Sequence, residues 1–316
     1  MKIIKYLYKN TILGKIILFI PVKCFRFIRN FIVPEKILIK MYFKKTFSYK
    51  LDLKNPKTLN EKLQWKKIYD RKDIYTLCSD KYKVRDYIDE RIGAQYLIPL
   101  ILATDNPKKI KYEELPDSFI MKYNHNSGHN IIVRKKGYAQ IEKIRLEGRR
   151  WLKRNYYQTS KEWQYKNIKP LIIVEKLLVD ENGNVPLDYK FHCFHEKVEA
   201  IQVDIDRFEN HKRNFYDTNW KLLPFIWCTF KNAKPLWGNG RDIDRPILLK
   251  EMIDVAEKLS KGFDYVRVDL YSFENKVYFG EMTFTHGGGY EMFYPAEYDK
   301  IFGEKLKLNR LKHRFA

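Results

Sequence analysis

Residues 265–285 read YVRVDLYSFENKVYFGEMTFT, and the reading of the fold starts from them. Apolar and polar residues alternate on both sides of a polar centre, which marks a hairpin of Tyr265–Leu270 and Val277–Thr285. Alternate side chains share a face, so Arg267 and Asp269 point one way, and Glu281, Thr283 and Thr285 share a face on the return strand. A turn centred near Asn275 sets Asp269 opposite Glu281. Two facing carboxylates destabilise a sheet unless something neutralises them. A divalent cation does so, and magnesium commonly takes one or two carboxylates together with substrate phosphates. Arg267 would then fork onto phosphate oxygens. The plainer alternative is a solvated hairpin in which Arg267 pairs with either carboxylate.

The flanking sequence adds groups suited to phosphate. Gly287-Gly288-Gly289 follows the hairpin and permits close backbone approach to a reacting group. Lys122 lies near the end of the apolar strand Phe119–Tyr123, before a polar turn in which Ser127-Gly128 offers backbone N–H groups. Glu175-Lys176 interrupts the apolar run Leu171–Leu178, as at a sheet edge that faces a ligand. Asp180-Glu181-Asn182-Gly183 is a turn signal, and a meander of Leu187–Phe194 and Val198–Asp204 follows. Helical patterns cover Leu59–Arg91, with an apolar stripe of Leu63, Trp65, Ile68 and Tyr69 and with Asp80 as N-cap of a second helix. Further helices span residues 139–155 and 247–259, the latter ending near Gly262. Helices first and antiparallel strands later make an α+β protein.

Length and composition agree with a globular chain: 316 residues, 45% hydrophobic and 16% aromatic. Cys24, Cys78, Cys193 and Cys228 form no CxxC pair, so buried free thiols in a reducing compartment are expected rather than disulfides or zinc. The net charge is +22, and half of it sits in residues 1–50, where twelve Lys/Arg face the single acidic Glu35. There Phe25, Phe27, Ile28, Phe31 and Ile32 interleave with Arg26 and Arg29, and the run Ile16–Val22 is too short to span a bilayer. Two readings stay open: a basic amphipathic segment on an anionic membrane surface, or a helix packed on the body with a solvated basic face.

The order of these segments resembles the ATP-grasp superfamily, and most of all its TupA-like group, which is associated with teichuronopeptide biosynthesis. The resemblance covers roughly Leu59–Leu308 and rests on Asn60–Trp65, Lys122–Val133, Asp206-Arg207-Phe208 with Arg213–Asp217, and Phe263–Gly289. It implies an ATP-grasp fold, two α+β subdomains sandwiching ATP, preceded by the basic helical segment. The corresponding division is 1–50, a helical region 51–115, a small subdomain 116–178 and a large subdomain 179–316. Carried onto this chain, the resemblance makes Lys81, Lys122 and Lys190 phosphate contacts. It makes Ser127 and Gly128 the phosphate loop and Glu175, Lys176 and Leu177 the adenine hinge. Asp269 and Glu281 become magnesium ligands, and Arg267 the arginine at the transferred phosphoryl group. Thr283 stands where the family has an asparagine ligand, and the usual N-terminal βαβ substrate domain is missing from this pattern.

The implied chemistry is ATP- and Mg2+-dependent carboxylate–amine ligation through an acyl phosphate. Gly287, Gly288 and Gly289 would hold the oxyanion, and Arg207 and Arg213 would grip an acidic substrate or pair with Asp206 or Asp217. The family suggests an amino acid joined to a uronic acid in a cell-surface polysaccharide or its lipid-linked precursor, in the cytoplasm or on the inner face of the membrane. Two other classes compete. A metal-dependent glycosyltransferase would use Asp204-Ile205-Asp206 as a DxD, although Asp242-Ile243-Asp244 fits that pattern equally. A nucleic-acid binder would use the charge, but no recognised module appears and Asp269 and Glu281 would have no purpose there. His192 and His195, three apart on a strand, point to opposite sides and are poor joint metal ligands.

Overall fold

The computed structural model describes residues 6, 10, 11, 19–207 and 210–309; the start of the run from Ile16 and also Phe208 lie outside them. The chain divides into two units, Met1–Leu51 and Asp52–Ala316, each described by itself. In the first, helix α1 (Phe19–Phe27) runs into a π-helical turn, Ile28–Ile32. Pro34 fixes an extended Val33 (ψ 123) and breaks the helix. Helix α2 (Glu35–Phe47) follows and buries Leu38, Ile39 and Phe43. Cys24 is exposed on α1, whereas Cys78, Cys193 and Cys228 are buried; all four are unpaired. The expectation for Cys24 fails because its face of α1 turns outward.

The second unit opens with helix α3 (Leu59–Tyr69), set by a capping box. The Thr58 hydroxyl accepts from the Glu61 N–H, and the Glu61 carboxylate accepts from the Thr58 N–H at 3.1 Å. Helices α4 (Asp73–Ser79) and α5 (Val84–Ile92) follow. Asp80 accepts from the N–H groups of Tyr82 (2.9 Å) and Lys83 (3.3 Å), so it caps a turn and regular helix begins only at Val84.

A four-stranded antiparallel sheet holds β1 (Leu100–Thr104), β2 (Phe119–Tyr123), β3 (Asn130–Val133) and β4 (Ile172–Lys176), in the order β1-β4-β2-β3. Phe119, Met121, Tyr123, Ile172 and Val174 form one apolar face with Ile144 of helix α6 (Tyr138–Leu152). Lys122 and Glu175 therefore project from the opposite face. Glu175 is not at a sheet edge, as the sequence suggested: β4 is internal, and Glu175 lies in register between Leu100 and Ile120.

The second sheet has five antiparallel strands: β5 (Asp188–Phe194), β6 (Lys197–Ile205), β7 (Lys212–Tyr216), β11 (Tyr265–Phe273) and β12 (Lys276–Thr283), in the order β12-β11-β5-β6-β7. The pairs β8 (Ile226–Cys228) with β13 (Met292–Tyr294), and β9 (Phe230–Lys231) with β10 (Lys234–Pro235), lie outside it. Val266, Val268, Leu270 and Phe191 pack one face against Met252, Val255 and Leu259 of helix α7 (Leu249–Ser260). On the other face Tyr265, Phe194 and Phe215 pack against Leu59 and Leu63 of α3 and Phe302 of helix α8 (Glu297–Lys305). That second face is apolar at one end and charged at the other, where Arg267, Asp269, Lys190, Asp204 and Arg213 project.

The hairpin that joins β11 to β12 turns through Glu274 and Asn275, both at positive φ (49 and 55), as a two-residue loop requires. Phe273 then pairs with Lys276 and Leu270 with Phe279. Continued unbroken, this register would set Gly280 opposite Asp269 and send Glu281 to the other face. A bulge intervenes: Gly280 is skipped and Asp269 faces Glu281. A Cβ at Gly280 would come within 3.0 Å of both the Asp269 carbonyl oxygen and the Tyr271 ring. Gly280→Val should therefore cost about 1–3 kcal/mol. A lowered urea midpoint is the expected reading, and an unchanged midpoint would show that the bulge does not need glycine.

Candidate active site

The facing pair predicted from the hairpin, a buried Asp269 and a partly exposed Glu281, is already bound to a cation of the protein itself. The Arg267 guanidinium donates to both oxygens of Asp269 (2.6 and 2.7 Å) and to Glu281 Oε1 (3.1 Å). On the neighbouring strand β5, Lys190 lies between three carboxylates: it contacts Asp188, and Asp269 and Asp204 follow at 3.3 and 3.5 Å. Cross-strand register explains this, since Asp269 pairs with Lys190 and Asp188 pairs with Asp204. Burial would lower the Lys190 pKa, but the three aspartates outweigh it and raise it. Burial likewise pushes Glu281 up, yet Lys81, Arg267 and Lys190 bring it down to about 2. Thr283 donates its hydroxyl to Glu281 Oε1 (3.0 Å).

The four-stranded sheet supplies further cations. Lys122 donates to Glu175 Oε2 (2.7 Å), and Arg85 of α5 donates to Glu175 Oε1 (3.1 Å). The expected hinge carboxylate is thus engaged by one of the expected phosphate lysines. Lys81 donates to the Asn126 carbonyl (2.7 Å) and lies 3.5 Å from Glu281 Oε2, which links the polar turn to the carboxylate pair. Asn126 was not singled out from sequence. Its side-chain amide is buried, and neither the nitrogen nor the oxygen finds a partner. Asp188 Oδ1, beside Lys190, is also buried and unpartnered.

Between the two sheets lies a cleft of about 730 Å3. Lys122, Gly128, Lys176 and Leu177 line it from the small sheet, and Asp188, Asp204, Arg207 and Tyr271 from the large one. Arg207 is half exposed and donates to Asp188 Oδ2 (2.9 Å). Arg213 does not line the cleft. Its guanidinium is buried between Asp204 Oδ1 (2.8 Å) and Glu291 Oε2 (2.8 Å), so its partners are neither a surface Asp206 nor Asp217. Asp204, the first acid of the DxD, is held by Arg213 and by His211 at 3.1 Å, while Asp206 is exposed at φ 48. Among the described residues, no cluster of three or more His, Cys, Asp or Glu is arranged to hold a metal. Asp269 and Glu281 offer two carboxylates rather than a closed cage.

A family model for TupA-like ATP-grasp proteins matches residues 61–307. The chain belongs to the TupA-like ATP-grasp family. Its fold is accordingly the α+β ATP-grasp fold. No curated protein matches this chain. Solved structures similar to it include D-alanine–D-alanine ligase from Bacillus anthracis complexed with ATP, at 16% identity and TM-score 0.39, covering 66% of this chain and 55% of that one. The ATP-grasp ligase PsnB complexed with minimal precursor shares 11% identity at TM-score 0.39, covering 74% and 60%. The ADP complex of PurK, N5-carboxyaminoimidazole ribonucleotide synthetase, shares 11% at TM-score 0.43, covering 72% and 51%. The chain thus spans 51–60% of the length of these three structures, and likenesses so distant carry no argument beyond the family match.

Behind Asp269 and Glu281 stands a buried support that sequence patterns did not reveal. Arg267 Nη1 lies 2.7 Å from His286 Nδ1, and His286 Nε2 lies 2.9 Å from Glu291 Oε2, which also accepts from Arg213. Burial, reinforced by Arg267 and Arg213 against the pull of Glu291, lowers His286 to about 4. The ring is therefore neutral at pH 7, and its Nδ1 accepts from the arginine. The glycine run is held just as firmly. Gly287, Gly288 and Gly289 all have positive φ (54, 63 and 72), and Gln64 of α3 donates to the carbonyls of Gly288 (3.0 Å) and Gly289 (2.6 Å). The Gly288 N–H donates to the Thr285 carbonyl (2.9 Å). Beside this run Glu162 is buried against Thr285 and Gln164, and Lys67 donates to the Gly288 carbonyl (3.1 Å). Burial raises Glu162 and lowers Lys67 to about 8.

Glu291 tests this support through pH. Burial pushes its carboxyl up, but Arg213 and His286 overcome that and bring it down to about 2. Its contribution to stability is complete above the ordinary value of 4.5 and is lost as pH falls through 2. Glu291→Gln should cost about 3–5 kcal/mol at pH 7, because it removes a partner of a buried arginine. In urea titrations the deficit should shrink steadily from pH 4.5 downwards. A deficit independent of pH would mean that Glu291 acts by packing alone.

Proposed function

We propose that the cleft binds ATP with magnesium and that the protein joins a carboxylate to an amine through an acyl phosphate. One observation carries the reading: the facing carboxylates Asp269 and Glu281 are flanked by Lys190 and Lys81, beside a cleft lined by Lys122, Asp188 and Asp204, and Lys81 also holds the turn that carries the unpartnered Asn126 amide. The donor set fits. Two carboxylates without a third acid suit a magnesium ion that arrives with nucleotide phosphates and completes its shell from them. The buried Asn126 amide and Asp188 Oδ1 are polar groups that a ligand would satisfy.

Bound magnesium would supply charge neutralisation at the β- and γ-phosphates. Asp269 and Glu281 would hold it, with the Thr283 hydroxyl a weaker neighbour. Lys81, Lys122 and Lys190 would exchange their present carboxylate partners for phosphate oxygens. Glu175, Lys176 and Leu177 would meet the adenine, and Ser127-Gly128 would close over the phosphates. A substrate carboxylate attacks the γ-phosphorus and releases ADP; an amine then displaces phosphate and leaves an amide. Arg267 would stabilise charge at the transferred group, and the glycine run the tetrahedral oxyanion. Arg207, on the cleft wall, is the cation best placed for an acidic substrate. Family membership points to an amino acid and a uronic acid of a cell-surface polysaccharide or its lipid-linked precursor, joined in the cytoplasm.

ADP release by the purified protein, measured with magnesium and ATP across a panel of amino acids and uronic acids, tests the reading. One pair should stimulate release, and Asp269→Asn should cut it roughly a hundredfold or more with the far-UV spectrum unchanged. Survival of full activity in that variant would refute the site. Thermal stabilisation by a UDP-sugar but not by Mg-ATP would favour a glycosyltransferase instead.

Asn126→Ala gives a test that needs no turnover. Loss of one or two hydrogen bonds to a charged ligand should weaken Mg-ATP binding by roughly tenfold in calorimetry. Unaltered affinity would place the amide outside the nucleotide site.

A further inference from the structure

The amino-terminal unit carries a feature that nucleotide chemistry does not use. Ile20, Cys24, Phe27, Ile28 and Phe31 recur at helical spacing along α1 and its π-helical turn, and all five are exposed. Phe25 and Ile32 beside them are exposed as well, and the Phe27 and Phe31 rings stack at 5.1 Å. An apolar stripe of this length left in water is uncommon and marks a surface that something covers.

Helix α2 shows what covers it. One side buries Leu38, Ile39 and Phe43. The outward side has two parallel lanes, Lys36, Lys40 and Lys44 at intervals of four, and Ile37 and Met41 next to them. Apolar side chains beside a lane of long basic ones form the pattern of a helix lying in a membrane interface, where the ammonium groups reach headgroups and the apolar groups enter the acyl boundary. Charge separates a lipid surface from a second copy of this chain. Residues 1–50 hold twelve Lys/Arg against one acid, so two such faces would repel each other, whereas an anionic bilayer attracts them. No described helix is long and apolar enough to cross a membrane, so the segment would lie along the surface.

We propose that residues 19–47 seat the protein on the surface of an anionic lipid bilayer, with Phe27, Phe31 and Met41 entering the lipid and Lys36, Lys40 and Lys44 at the headgroups. This does not depend on the ligase reading, and each can fail without the other.

Co-sedimentation of the full chain with phosphatidylcholine vesicles, with and without phosphatidylglycerol, tests it. Binding should need phosphatidylglycerol and weaken as salt rises. Phe27→Asp with Phe31→Asp, and separately Lys40→Glu with Lys44→Glu, should each reduce it at least tenfold. The emission that Phe31→Trp adds to that of the six native tryptophans, taken as the difference from the parent chain, should shift to the blue on phosphatidylglycerol vesicles, which reads insertion and does not require the acidic variants to fold. Binding that ignores the phenylalanines, or a tryptophan that keeps its emission, would reduce the effect to general attraction of a basic protein and overturn the proposal. So would failure to sediment together with a dimer, seen by light scattering, that Phe27→Asp with Phe31→Asp disrupts.

Discussion

Two carboxylates cannot face each other at the margin of a core unless a cation sits with them, and in this protein that cation is the Arg267 guanidinium. It grips both oxygens of Asp269 and reaches Glu281, and so fixes β11 to β12 at the point where the register shifts. Arg267 is itself desolvated, so its orientation must be secured from behind. His286, Glu291 and Arg213 do this, extending alternating charge and neutral imidazole into the interior. Coulomb attraction repays desolvation only when each member is well placed. The apolar halves of the sheet, on Leu59, Leu63, Trp227 and Phe302, serve partly to hold these groups where they compensate one another.

The hairpin shows how far sequence carries such a structure. Period-two alternation makes Asp269 and Glu281 neighbours if the turn is centred on Asn275, and they are neighbours. The turn is nevertheless Glu274-Asn275, and only the bulge at Gly280 restores the pairing. The bulge does leave a trace in the alternation, since the buried positions run Val277, Phe279 and then Met282, a step of three across Gly280-Glu281. Helix α3 misleads in another way. Its apolar stripe suggests one buried side, but Asn60, Gln64, Lys66 and Lys67 are buried as well, since α3 sits between the apolar face of the large sheet and the glycine run.

Long-range charge partners were the least legible. Arg213 reads as a surface or substrate-binding group because its partner Glu291 lies 78 residues away. Glu175 reads as an edge residue because the order β1-β4-β2-β3 interleaves distant strands. Lys122 was recognisable as a cation suited to phosphate and Lys81 only through the family resemblance, but their present partners were not; the pairing of Arg267 with the carboxylates was one of its two readings. Family resemblance supplied roles where spacing supplied only proximity.

The ion pairs in the cleft have a further consequence for a chain of net charge +22. Lys122 is matched by Glu175, Lys81 lies near Glu281, Lys190 is surrounded by three aspartates, and Arg267 is shared by two acids. The charges around Asp269, Glu281 and Glu175 are therefore close to balanced inside a strongly basic molecule. Among these groups a bare polyanion finds no cation without an acidic partner. A phosphate chain that brings its own counter-cation is different, since it can trade anion for anion and cation for cation in a single swap. Selectivity would then arise from the requirement to exchange ions in pairs rather than from attraction.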